Sequence, residues 1–195
     1  PYCKVRYSKD LCDRYIDALL REIHAVGGQQ SGKKETNSLY FGGGTPALAA
    51  DRLGEIIGAI KEHFVITEGI GVELHPDNVT PDVLRTLKTA GVTKISIGIQ
   101  SFQTKFQSVL GRTSVDISAM KQALSEVPFE TVSMDFIFAL PNQTFEDLKA
   151  DVDAAFQSGA NHVAIYPFID FTFTSSTVQA MGKGEKRALL DGITR

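Results

Sequence analysis

Cysteine is nearly missing from this chain, with two residues, Cys3 and Cys12, among 195. Two thiols cannot staple a disulfide framework, so a core has to hold the fold and the expected setting is a reducing cytoplasm. Long apolar runs are missing too. No stretch approaches the roughly 20 residues that cross a bilayer, and no signal peptide opens the chain, so no membrane partner is expected. Neither sign of charge is in excess. The net charge is −3 and the pI is near 5.8, which removes the electrostatic case for a nucleic-acid partner. An initiator methionine is also absent, since the chain opens at Pro1, and the expectation is a piece of a longer protein or one whose flexible parts are missing. What remains is ordinary globular composition, 43% hydrophobic and 22% charged, at a length that supports one domain with a sizeable core.

Taken in order, residues 9–26 predict a helix, with Leu11, Tyr15, Ala18, Leu19, Ile23 and Val26 recurring at three- and four-residue steps. Gly27-Gly28 stops it and the polar run 29–37 is expected as a surface loop. A strand ending at Gly42, a helix over about 49–63 and a short strand over 71–75 follow. Thr80-Pro81-Asp82 opens the next helix well, as cap, first-turn proline and dipole-matched acid. A strand over 94–100, helical turns over 103–110 and 115–126 and a strand over 131–140 come next. Thr144 caps a helix carrying Leu148, Val152, Ala155 and Phe156, and a fifth strand covers 161–168. Residues 170–184 are expected as a mobile loop and 185–193 as the start of another helix. Strands alternating with helices at roughly 30-residue intervals predict a parallel α/β sheet, either a barrel or doubly wound. A chain that begins just before a helix also implies a sixth strand upstream.

The chain is organised around Ser38-Leu-Tyr-Phe-Gly-Gly-Gly-Thr-Pro46. Three glycines in a row give up side-chain packing, which suits either a tight strand-to-helix turn or a place where backbone meets a polar ligand closely. Polar residues then stand at the ends of three further strands, where burial on both faces of a parallel sheet should favour apolar ones. These are Glu73, Gln100 and Asp135. Each taken singly reads equally as a satisfied core polar group, but together they mark one rim, the carboxyl end where barrel active sites gather. Arg112 is either a counter-charge at that rim or a solvated loop arginine.

Other chemistries lack their signatures. His24 and His63 sit on predicted helices as surface residues, His162 at a strand start on the opposite rim, and His75 beside Glu73 as a possible site residue. No His/Cys spacing matches zinc. The glycines fit neither a P-loop nor G-x-G-x-x-G, and no G-x-S-x-G is present.

Pro1-Tyr2-Cys3, Gly42-Gly-Gly-Thr-Pro46, Val72-Glu-Leu-His-Pro76, Ile97-Gly-Ile-Gln-Ser-Phe102, Leu110-Gly-Arg112 and Asp135-Phe-Ile-Phe-Ala-Leu-Pro141 occur in this order. As an ordered set they resemble the radical SAM enzymes, in particular the oxygen-independent coproporphyrinogen III oxidase group with its haem-chaperone and haem-degrading relatives. The resemblance implies an α/β fold, a partial (β/α)6 TIM-like barrel truncated at its N-terminal strand and C-terminal region. It also implies a barrel core over residues 1–170, with a loop and the start of a helical extension over 171–195.

The family binds a [4Fe-4S] cluster through a C-x3-C-x2-C motif, of which Tyr2-Cys3 matches the final pair, so Cys3 is the implied metal ligand and the two earlier cysteines are absent. Cys12 lies off the pattern. S-adenosylmethionine is the implied second cofactor, with Gly43, Gly44 and Thr45 at its methionine moiety, Glu73 at amino or ribose groups, Gln100, Arg112 and Asp135 completing the pocket, and Ile169 along the adenine. The implied activity is formation of a 5′-deoxyadenosyl radical for oxidative decarboxylation of porphyrinogen propionates in haem biosynthesis. A tetrapyrrole is the implied substrate and flavodoxin or ferredoxin the implied electron donor. The alternatives are a haem chaperone on the same scaffold and a barrel with no S-adenosylmethionine site.

Overall fold

The computed structural model describes residues 6–29, 31–112, 114–169 and 181–193. Tyr2 and Cys3, and most of the expected loop over 170–184, lie outside them. Ser8 caps α1 (Lys9–Gly27) by accepting the Leu11 N–H, and Asp10 sits in its first turn. Among the described residues five strands follow: β1 (Lys34–Phe41), β2 (Phe64–Leu74), β3 (Lys94–Gln100), β4 (Thr131–Phe138) and β5 (His162–Pro167). The returns between them are α2 (Ala50–His63), α3 (Pro81–Thr89), α4 (Thr104–Val109) with α5 (Ile117–Glu126), and α6 (Phe145–Gln157), and α7 (Lys183–Ile193) comes last. All four strand pairings are parallel and the spatial order equals the chain order. That is the winding of a (β/α) barrel, here an open arc of five strands.

Register explains the two faces of the arc. Phe41, Val72, Ile95 and Val132 lie in one row, and Leu74, Ile97, Met134 and Val163 in the next. These side chains pack with Leu53, Ile57, Leu84, Leu87 and Met120 from the helices. The intervening rows are polar: Glu73, Ser96, Ser133 and His162 share one of them. The expectation of strands apolar on both faces is therefore corrected. The helices cover one face only, and the other carries polar side chains at alternate positions, interrupted by Gly98, Ile137 and Ala164.

Three further differences have local causes. β1 begins at Lys34 and β2 at Phe64, because Lys34, Glu35 and Thr36 pair with Phe64, Val65 and Ile66 beyond the reach of β3. That ribbon is largely exposed, so its residues carried no burial signal. In α6 the buried positions are Leu148, Asp151 and Ala155, and Phe156 is exposed, since the helix phase puts a carboxylate where an apolar residue was expected. In α1 only Ile16 and Gly27 are buried, while Leu11, Tyr15 and Val26 are exposed, because the helix is covered on the side of α2 alone. Among the described residues no helix is long and apolar enough to cross a membrane.

Candidate functional site

At the end of β1 the chain drops its side chains and turns. Gly43 takes φ 109°, a conformation that favours glycine. A Cβ on Gly42 would stand 3.0 Å from Glu73 Oε1, whereas Cβ atoms on Gly43 and Gly44 would meet nothing within 4 Å. The glycines thus do two jobs: Gly42 lets Glu73 approach, and the next two leave space. Glu73 Oε2 accepts the Gly43 N–H at 3.1 Å, so a carboxylate on β2 sets the pose of the turn. A turn at Pro46–Ala49 then leads into α2.

β3 ends under strain. Gln100 is in the left-handed region at φ 71°, which costs a residue with a Cβ roughly 1–2 kcal/mol. The residues just after it hold it there. Ser101, fully buried, donates its hydroxyl to Asp151 Oδ2 at 2.7 Å, and the Phe102 N–H donates to Asp151 Oδ1 at 2.9 Å. Gln107 Nε2 donates to the Ser101 carbonyl at 3.0 Å, and the Arg112 N–H donates to the Gln107 carbonyl at 2.9 Å. Gln100 and Arg112 are therefore the two feet of one arch, pinned to α6 through Asp151. Burial pushes the Asp151 carboxyl above the usual carboxylate range, against the bonds from Ser101 and Phe102.

Asp135 on β4 accepts the Ser96 hydroxyl at 2.8 Å and the Ser133 hydroxyl at 3.3 Å. Ser133 Oγ also lies 3.0 Å from His162 Nδ1. A hydroxyl has one proton; given to Asp135, it leaves Ser133 to accept from His162 Nδ1–H. A chain of four polar groups thus crosses three strands. Tyr40 flanks it from β1: burial first, then the Glu73 charge, pushes its hydroxyl up to about 12, so it stands as a neutral donor.

One cavity of about 450 Å³ gathers Gly43, Gly44, Thr45, Glu73, Gln100, Arg112 and Asp135, every described site residue read from the sequence except Ile169. Ile169 lies beyond β5, is 56% exposed and does not line it. Tyr166, Ser96, Gly98 and His75 line it as well. Ser96 was detectable by register, being Glu73's partner across the pairing. His75 has a structural task, since its Nδ1 accepts the Asp77 N–H at 3.3 Å. Sequence reasoning missed His162, whose link to Asp135 runs through Ser133. Cys12 packs half-buried against the core, as an off-pattern thiol should. The donor set suits a zwitterion that carries a sugar diol. Two carboxylates accept from ammonium or hydroxyl groups, an arginine faces a carboxylate, and bare backbone closes one side.

The chain is similar to known proteins in sequence and in fold. Residues 1–155 match the model of the radical SAM superfamily. The chain is 31% identical over 173 residues to the haem chaperone HemW of Lactococcus lactis, covering 86% of this chain and 44% of that protein. It is 29% identical over 173 residues to the oxygen-independent coproporphyrinogen III oxidase of Cereibacter sphaeroides, covering 85% and 38%. The structure of coproporphyrinogen III oxidase from Escherichia coli superposes with a TM-score of 0.81 at 23% identity, over 97% of this chain and 46% of that one. The chain therefore spans less than half the length of these relatives. The five-stranded arc is shared with the Escherichia coli structure, and the chain belongs to the radical SAM superfamily, which uses a [4Fe-4S] cluster and S-adenosylmethionine.

Proposed function

We propose that the cavity at the carboxyl rim seats S-adenosylmethionine, in a protein that handles haem or a related tetrapyrrole. The supporting observation is that seven residues from four strand ends and the arch line one cavity of about 450 Å³. Gly43 and Gly44 present backbone to the methionine end, beside Thr45. Arg112 faces the methionine carboxylate. Glu73 and Asp135 accept from the ammonium and the ribose hydroxyls, and Gln100 completes the wall. Tyr166, in β5, walls the adenine side, the place expected of Ile169, which stays outside the cavity. Tyr2-Cys3 is the last pair of the cluster motif, with Cys3 a ligand of iron. When bound, these cofactors supply one-electron chemistry that no side chain offers. The chain's own residues bind, orient and screen.

Of the roles open to such a protein, which are oxidase, haem chaperone and haem degradation, haem chaperone is the best supported. HemW proteins from several bacteria are 29–31% identical to this chain. The reading with coproporphyrinogen oxidation as the activity moves to second place, supported by the 29% identity to an oxidase. A reducing cytoplasm is proposed for either role, and a flavodoxin or ferredoxin as electron donor where the radical chemistry runs.

The test uses the full-length protein with its cluster reconstituted anaerobically. Calorimetry should show S-adenosylmethionine binding that Asp135→Ala weakens, and no binding by the wild type would sink the seat. Added haem should give a stable Soret band and pass to an acceptor apoprotein. Turnover of coproporphyrinogen, lost in Cys3→Ala, would instead restore the oxidase.

A further inference from the structure

At the amino-terminal rim of the strands, opposite the cavity, α1 and α2 end side by side. His24 is in the last turn of α1, and Glu62 and His63 close α2. One ligand atom from each lies within 4.8 Å of the others. His24 Nδ1 and Glu62 Oε2 are 3.6 Å apart, close to the edge of a tetrahedron whose corners lie roughly 2.0–2.2 Å from a central zinc. The two imidazoles meet edge to face, with ring centres 5.8 Å apart.

Two details set this cluster apart from chance surface residues. His63 Nε2 is screened from solvent and has no hydrogen-bond partner, an arrangement that costs free energy unless a ligand completes it. Gly27 ends α1 where a Cβ would stand 2.3 Å from the His63 ring, so α1 gives up a side chain to admit this imidazole. Both helices also turn the negative ends of their dipoles here, which favours a cation. Lys33 already uses that field, donating to the Lys61 carbonyl at 2.7 Å.

We propose that His24, Glu62 and His63 form a site for a transition-metal cation of the zinc class, with water in the remaining position. Two imidazoles and one carboxylate are a donor set that zinc takes readily. The side chains of His24 and Glu62 are 50% and 64% exposed, so they close the remaining distance without disturbing the core. A bound ion staples the lower ends of α1 and α2, as Arg52 clamps their upper ends through Asp13 at 3.3 Å and Asp17 at 3.0 Å.

The experiment is a zinc titration by calorimetry of the full-length, cluster-loaded, tag-free protein, compared with His24→Gln and Glu62→Gln. Both positions are exposed, so both variants fold. The wild type should take up one equivalent of zinc more than either variant. Cobalt in place of zinc should give a d–d absorption band that the variants lack. Zinc should also slow hydrogen exchange at the end of α1 in the wild type alone. Equal stoichiometry in all three proteins, or no uptake by the wild type, overturns the site.

Discussion

β3 and β4 are two different materials according to the side from which they are seen. Towards the helices they offer Ile95, Ile97, Val132, Met134 and Phe136, all between 0% and 5% exposed. Towards the concave side they offer Lys94, Ser96, Ser133 and Asp135 in the same registers. Neighbouring residues on one strand therefore carry separate tasks. The apolar set holds the arc together through burial, and the polar set is free to hold a ligand because it contributes little to that core. Adjacent substitutions should then fail in different assays.

The sharpest contrast is Phe136→Ala against Asp135→Ala. Phe136 is fully buried, and its truncation should cost about 3–5 kcal/mol in urea unfolding. Next in size is Asp151→Ala, which strips partners from the buried Ser101 hydroxyl and the Phe102 N–H and should cost roughly 1–3 kcal/mol. Asp135→Ala should change stability by about 1 kcal/mol or less. In the reconstituted full-length protein it should still lower S-adenosylmethionine affinity about tenfold, or 1.4 kcal/mol. Equal stability losses for Phe136→Ala and Asp135→Ala would break the division between faces.

A smaller effect comes from the raised Asp151 carboxyl. Folding holds that proton more tightly, so its contribution is fully present below the unfolded pKa and is lost as pH rises through the folded value. The stability difference between wild type and Asp151→Asn should fall on going from acid to neutral pH, and a flat difference refutes the assignment. Smallest is Gly98→Ala. Its Cβ would press on Gln100 Nε2 at 3.0 Å, the free end of a flexible side chain, so stability should move by less than about 0.5 kcal/mol.

The same two faces explain what could be read in advance. Parallel α/β order was legible because apolar strands alternate with helices such as α2 and α3, which bury Leu53, Ile56 and Ile57 and Leu84 and Leu87 at helical spacing. Gly42–Gly44, Glu73, Gln100 and Asp135 were legible because they violate the burial expected of a strand. Ser133 and His162 stood on the same face yet broke no local rule, and only register joins them to Asp135. The outer halves of β1 and β2 are exposed, so they read as loop. Asp151 hid for the opposite reason: a lone acid in a helix reads as solvated until the loop that it anchors is seen. His24 and His63 come from different helices, and no spacing motif spans such a distance.

Glu73 Oε2 accepts the Gly43 N–H, so one carboxylate both fixes the glycine turn and faces the cavity. A carboxylate offers about four lone-pair sites, and the turn takes one of them and leaves the others to incoming donors. Backbone wall and ligand contact therefore draw on a single charge. A substitution that removes this charge loosens the turn and weakens the contact together, so the two losses arrive as one.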